Sequence, residues 1–210
     1  MTRELADANL HDVSNTALPF YIGEDDPPAK REILRAALKL FSERGLAATS
    51  IRDIADESGY TNPALYKHFD SKEELAQYLF DACHRRVWGS LNAAVVSANG
   101  FDDKLEGYIS RWLELVDEHP DVMAFLSDSA RTLWPKASAT VKSQTVIGLA
   151  RALALAAPKR SKAGIDPNIA AASLQGTLAE LARMLQVGVV DGPATRWKGN
   201  VVAVTRQLFA

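Results

Sequence analysis

Thr61, Asn62, Tyr66, Lys67, His68 and Lys72 put a hydroxyl, a carboxamide, a phenol, two amines and an imidazole into one short stretch. Such groups are donors and acceptors for the base edges and phosphates of duplex DNA. Pro63 and Ala64, in the same stretch, are compact enough to approach a thymine methyl in the major groove. Asn62 and Lys67 suit base edges or nearby phosphates. Tyr66 and His68 carry polar tips on rigid rings, suited to gripping a phosphate backbone. A second reading packs Tyr66 against a neighbouring helix and leaves His68 an ordinary surface histidine. No single residue decides; the joint spacing does.

A helix this short cannot support itself, so the sequence must supply a platform. Asp26-Pro27-Pro28 is a helix start, with Asp as the cap and proline in the first turn. Ile33, Ala36, Ala37, Leu40 and Phe41 follow at three- and four-residue spacing and form one apolar stripe, and Gly45 ends it. Ser50 and Asp53 match a capping box, and Ile51, Ile54 and Ala55 are the inward face of a second, two-turn helix. Gly59 closes it. Thr61 is the expected cap of the third helix, which runs to about Phe69 with Leu65 and Phe69 inward. Ser71 and Glu74 form a second capping box and open a long fourth helix. Two short helices joined by a glycine turn and braced by a first helix make a helix-turn-helix unit, whose second helix enters the major groove. Thr49 and Ser50 begin the second helix, where free N–H groups welcome phosphate. Lys72 sits at the wrong end of its helix for a cation, which a phosphate partner would explain. Arg52 is a weaker candidate from the exposed side of the second helix.

The remaining sequence reads as helices over 102–118, 121–133, 136–157, 167–189 and 193–208, so the fold class is all-α. The chain has 210 residues, 47% of them apolar, enough for a sizeable core. Net charge is only −2, but it is uneven: residues 1–28 carry one arginine against six acids, and residues 29–72 carry eight Lys/Arg against six acids. DNA affinity must then come from the placement of cations. Residues 1–26 read as an acidic arm, either loose or packed on the body through Leu18, Phe20, Tyr21 and Ile22. One cysteine, Cys83, excludes an internal disulfide. No apolar run approaches a membrane span and no signal pattern opens the chain, so a cytoplasmic protein without membrane contact is expected. No phosphate loop, nucleophile elbow or zinc signature occurs. Asp81-x-x-His84 has metal-ligand spacing in one copy only. An enzyme is not expected, nor a cofactor.

The run Arg31-x-Ile33, Ala36-Ala37-x-x-Leu40-Phe41, Gly45, Thr49-Ser50-Ile51-x-x-Ile54-Ala55, Gly59, Leu65-Tyr66-Lys67-His68-Phe69-x-x-Lys72-x-x-Leu75 resembles the DNA-binding domain of the TetR family of bacterial transcription regulators. Tyr60 and Ser58 depart from the family pattern, within the turn. The resemblance implies base or near-base contacts from Asn62, Pro63, Ala64 and Lys67, and phosphate contacts from Thr49, Ser50, Tyr66, His68 and Lys72. It divides the chain into an arm over 1–26, a DNA-binding domain over 27–75 and a helical effector-binding and dimerisation domain over 76–210. It further implies a homodimer on a palindromic operator, sealed by the last two long helices. Leu174, Leu178, Leu181 and Leu185 form one apolar line there, and Trp197, Val201, Val204 and Leu208 another. Ala171, Ala172, Gly176 and Ala179 would permit close approach. Packing within the subunit is the competing account of both lines.

The body of such a regulator holds a small-molecule effector. Trp88, Tyr108, Trp112, Met123, Phe125, Trp134 and Met184 are large wall candidates, with His84, Ser127, Asp128 and Gln175 as polar fixers. Plain core is the competing reading for each. The composition favours an apolar or aromatic effector, and the resemblance implies a repressor that such an effector releases from DNA. A corepressor, an activator and a helical interaction protein without specific DNA binding are the alternatives.

Overall fold

The computed structural model describes residues 19–158 and 165–209, and among them every regular element is a helix. Three elements build a reading head: α1 (Pro28–Ala48), α2 (Ile51–Ser58) and α3 (Asn62–Tyr66). The body follows with α4 (Lys72–Ser97), α5 (Gly100–Glu118), α6 (Pro120–Leu133), α7 (Ala139–Ser143), α8 (Val146–Ala156), α9 (Pro167–Gln186) and α10 (Lys198–Phe209).

The head is assembled as its stripe demands. Ile33, Leu34, Ala37, Leu40 and Phe41 of α1 are buried with Ile54 and Ala55 of α2, Leu65 of α3, Phe69, and Leu75 and Leu79 of α4. Gly45 breaks α1 with φ 79°, a left-handed value that glycine adopts without Cβ strain. Gly59 ends α2 at φ 73° and turns the chain into α3. The Ser50–Asp53 box forms in both directions, at 3.2 Å to the Ser50 hydroxyl and 2.8 Å from the Ser50 N–H.

Other caps differ from the sequence expectation. Pro27, not Asp26, stands at the start of α1; the Asp26 carboxylate instead accepts from the Gly23 N–H (2.9 Å) and pairs with Lys30 (2.8 Å). Thr61 precedes α3 without a side-chain cap, and α3 ends at Tyr66, short of Phe69. Ser71 caps α4 through the Glu74 N–H, but Glu74 reaches back to the N–H of Asp70 (2.6 Å) and not to Ser71. The expected single helix over 136–157 is two, α7 and α8. Thr145 accepts from the Gly148 N–H at 2.8 Å and starts a new helix where apolar composition alone suggests continuity.

Head and body share one core. Phe41 of α1 stacks on Phe125 of α6 at 5.8 Å, and Phe125 meets Phe80 of α4 edge-on at 6.4 Å. The segment 19–26 is part of this packing, which removes the loose-arm reading for those residues; residues 1–18 lie outside the described ones. Tyr21 and Ile22 are buried, and Phe20 stacks on His119 at 4.2 Å, at the corner between α5 and α6. Asp117 at the end of α5 receives the N–H groups of Ala194 (2.6 Å) and Thr195 (3.0 Å), and so anchors the short turn Ala194–Trp197 that leads into α10.

Candidate nucleic-acid interface and the cleft behind it

The third helix owes its presentation to its neighbours. Leu65 and Phe69 hold it down, and the capping box of α2 and the Gly59 turn set its direction. Thr61, Asn62, Pro63, Tyr66 and Lys67 are then exposed on one side, with Ala64 and His68 half-buried at the edges. Tyr66 is 52% exposed, which removes the reading that packs it against α1. The arrangement offers a carboxamide, an amine, a phenol and a hydroxyl on a convex ridge one helix wide, the shape a major groove admits.

Ser50 is exposed beside this ridge, its hydroxyl donating to Asp53 at 2.6 Å. Asp53 is held below the usual carboxylate range by the hydroxyl and then the N–H of Ser50, with Arg44 and Arg52 adding attraction. Arg52 has a side chain 84% exposed and only a 3.9 Å approach to Asp56, so it is free to reach outward. Arg44, exposed in the last turn before Gly45, belongs to the same rim. It is absent from the sequence-based candidates, and its one signal there is a cation next to the helix-breaking glycine.

Two sequence expectations are corrected. The Thr49 hydroxyl is buried, donating to the carbonyls of Gly45 (2.9 Å) and Leu40 (3.3 Å), so it cannot meet a phosphate. The Lys72 amine donates to the carbonyls of Leu46 and Thr49, both at 2.8 Å. Its unfavourable place at the start of α4 is offset there: it satisfies carbonyls left over where α1 ends. Lys72 therefore positions α2 and does not stand free for DNA.

The proposed effector wall divides in two. Trp112, Met123, Ser127 and Asp128 line a cleft of about 630 Å³ between the end of α1, the C-terminal half of α5, the first turns of α6 and the end of α9. The other candidates are not among its lining. Tyr108 and Phe125 are fully buried core; the Tyr108 hydroxyl donates to the Val146 carbonyl at 3.3 Å, and burial raises its pKa. His84 is buried with its ring 5.7 Å from Trp134, its Nδ1 has no partner, and burial lowers its pKa. Gln175 likewise keeps a buried, unpartnered Oε1. Trp88 and Met184 are half-buried elsewhere.

Of the proposed seam residues, Leu174 and Leu178 are 0% exposed and Val201 is buried: their surfaces are used inside the subunit and are not available to a partner. Leu181, Leu185, Trp197 and Leu208 are half-buried, and Val204 is 50% exposed. Ala171 is buried too, whereas Ile169, Ala172, Gly176 and Ala179 face out of α9 at helical spacing.

Residues 33–79, which span α1 to the start of α4, match the model of "Bacterial regulatory proteins, tetR family". Over these residues the chain carries a TetR-family DNA-binding domain. It is 35% identical over 106 residues to the HTH-type transcriptional repressor KstR2 of Rhodococcus jostii, covering 50% of this chain and 51% of that protein. It is 41% identical over 61 residues to the HTH-type transcriptional regulator TtgR of Pseudomonas putida, covering 29% of each. The chain thus spans about half the length of the KstR2 relatives it matches. Among solved structures it resembles the ketosteroid transcriptional regulator KstR2 of Mycobacterium tuberculosis, with TM-score 0.73, 22% identity, and coverage of 84% of this chain and 92% of that one. It also resembles FadR of Bacillus subtilis in complex with stearoyl-CoA, with TM-score 0.65, 15% identity, and coverage of 83% and 96%. At these identities the likeness is one of fold, and it extends the TetR-like architecture from the head through the body.

Proposed function

We propose that this protein is a TetR-family transcription regulator, acting as a repressor, that binds a roughly palindromic operator as a homodimer and leaves it when an effector occupies the body. The exposed ridge of α3 carries the reading. It holds Asn62 and Lys67 outward on a head whose inward groups are fully packed. Ser50, Arg44, Arg52, Tyr66 and His68 flank it as phosphate contacts. The names of the KstR2 relatives support repression as the outcome.

One head reads half a site, so a twofold pair must present two α3 ridges about one DNA turn apart. The outward stripe of Ile169, Ala172 and Gly176 on α9, with Val204 on α10, is the surface proposed for that pairing, in place of the buried leucines. An effector would couple to DNA by altering how α1 and α4 carry the head, with a typical coupling of about 1–3 kcal/mol.

The test is affinity for DNA flanking the protein's own gene against a scrambled duplex, at several salt concentrations. A specific regulator prefers the former at every salt, and equal affinity for both defeats the assignment.

A further inference from the structure

The cleft behind the head has a chemistry of its own. Its floor is apolar, formed by Trp112, Val116, Met123, Ala182 and Leu185. Its rim carries four carboxylates, Glu43, Asp117, Asp121 and Asp128, against a single cation, Arg183. That guanidinium is already held by Glu180, Nε to Oε2 at 2.9 Å. Asp117 caps the start of the Ala194–Trp197 turn through the N–H groups of Ala194 and Thr195 and the Thr195 hydroxyl, and among the described residues it is in no ion pair.

Helix ends add to the same sign. The cleft takes residues from the last turn of α1 before Gly45 (Ser42, Glu43), the end of α5 (Val116, Asp117) and the end of α9 (Leu185, Gln186). The end of α1 before its Gly45 break and the C-termini of α5 and α9, negative ends of their macrodipoles, converge there against two N-terminal ends, that of α6 and that of the short turn Ala194–Trp197. Among the described residues no three carboxylate, histidine or cysteine groups converge closely enough to hold a metal ion. The carboxylates are spread around an apolar floor, which suits a diffuse organic cation and not a chelated one. The Trp112 ring in that floor is a natural partner for such a cation.

We infer that the cleft binds a lipophilic organic monocation, with its apolar body on the Trp112–Met123–Leu185 floor and its charge within the ring of Glu43, Asp117, Asp121 and Asp128. A ligand rich in phosphates is disfavoured by the same ring. The volume is within the range of small-molecule sites. The inference deepens the regulator reading, on which it rests for the identity of the cleft as an effector site. Position supplies the link. Ser42 and Glu43 lie just before the Gly45 break, and the turn after that break is the one Lys72 holds in line with α2. A molecule wedged between α1 and the α5–α6–α9 wall pushes on the helix that orients the reading ridge.

The test uses two ions of matched shape and opposite charge, tetraphenylphosphonium and tetraphenylborate, titrated calorimetrically into the full chain without DNA. The phosphonium is expected to bind at least tenfold more tightly. Asp121→Asn with Asp128→Asn, both exposed positions whose change leaves the core untouched, narrows that preference below threefold, whereas Asp103→Asn, on the far turn of α5, leaves it intact. Failure of the phosphonium to bind, equal or tighter binding of the borate, or an undiminished preference in the double variant overturns the inference. Operator affinity of the unliganded protein, measured in parallel, reads the regulator assignment alone: its absence defeats that assignment and leaves the cation titration standing.

Discussion

The head and the body use the same helical material to opposite ends. In the head, function lies in what is left outside: a filled interior of Ile33, Leu40, Ile54 and Leu65 forces Asn62, Tyr66 and Lys67 outward. Where the body meets the head, the proposed function lies in what is left unfilled, a cleft at the meeting of four helices. A presented ridge needs fixed spacings, because each cap and glycine turn sets where the exposed groups point. A cleft needs only walls, and many sequences build walls. The family-model match over residues 33–79, against a fold likeness that covers 84% of the chain, reflects that difference.

The largest test asks whether the two regions are energetically separate. Phe125→Ala removes the ring that joins Phe41 to Phe80 across the junction and is expected to cost about 3–5 kcal/mol. One cooperative loss of head and body signals in urea is the expected result; independent melting of the head would break the shared-core description. Next, Lys72→Met strips two carbonyls of their donor, a loss of about 1–3 kcal/mol in stability. Its DNA affinity falls on all sequences, yet the slope of log K against log salt stays that of the wild type. A slope lower by about one phosphate would return Lys72 to the interface.

Changes on the ridge should behave in the reverse way. Asn62→Ala or Lys67→Ala leaves stability within about 0.5 kcal/mol and alters operator preference by about 1–3 kcal/mol, read from operator against scrambled DNA. Ser50→Ala loses the cap of α2, about 1 kcal/mol in stability, and weakens DNA binding as the ridge loosens.

The smallest effect is one of pH and belongs to the body. Burial holds the His84 pKa below its ordinary value, so between the two values the unfolded chain binds the proton more readily. Stability is therefore full above the ordinary histidine range and is lost as pH falls through it towards the lowered folded value. His84→Phe should flatten this decline in denaturation midpoints measured from pH 7.5 to 5.

The legible parts of the sequence are those where one residue type answers one geometric need. Gly45 and Gly59, the Ser50–Asp53 box and the α1 stripe each have a single reading, and the head follows from them. Lys72 and Thr49 mislead because their partners are backbone carbonyls brought near by the Gly45 break, which no side-chain pattern announces. Leu174 and Leu178 mislead because an apolar line on a helix is the same whether it faces its own subunit or another; the small residues beside it, facing out, carry the distinction. In the body, Thr145 is an inconspicuous breaker within an Ala/Leu-rich run. The cleft is legible only in part, since Glu43 on α1 and Gln186 on α9 are far apart in sequence and meet only through the fold.

The packing of Phe20 on His119, with Ile22 buried beside it, bears on how such regulators can be recombined. A chimaera joined between α3 and α4 carries residues 19–26 along with the donor's head, although their side chains are shaped to the corner of α5 and α6 in the body left behind. Heads exchanged together with a matched α5–α6 corner should graft cleanly, and heads exchanged alone should bring a misfitted clasp with them.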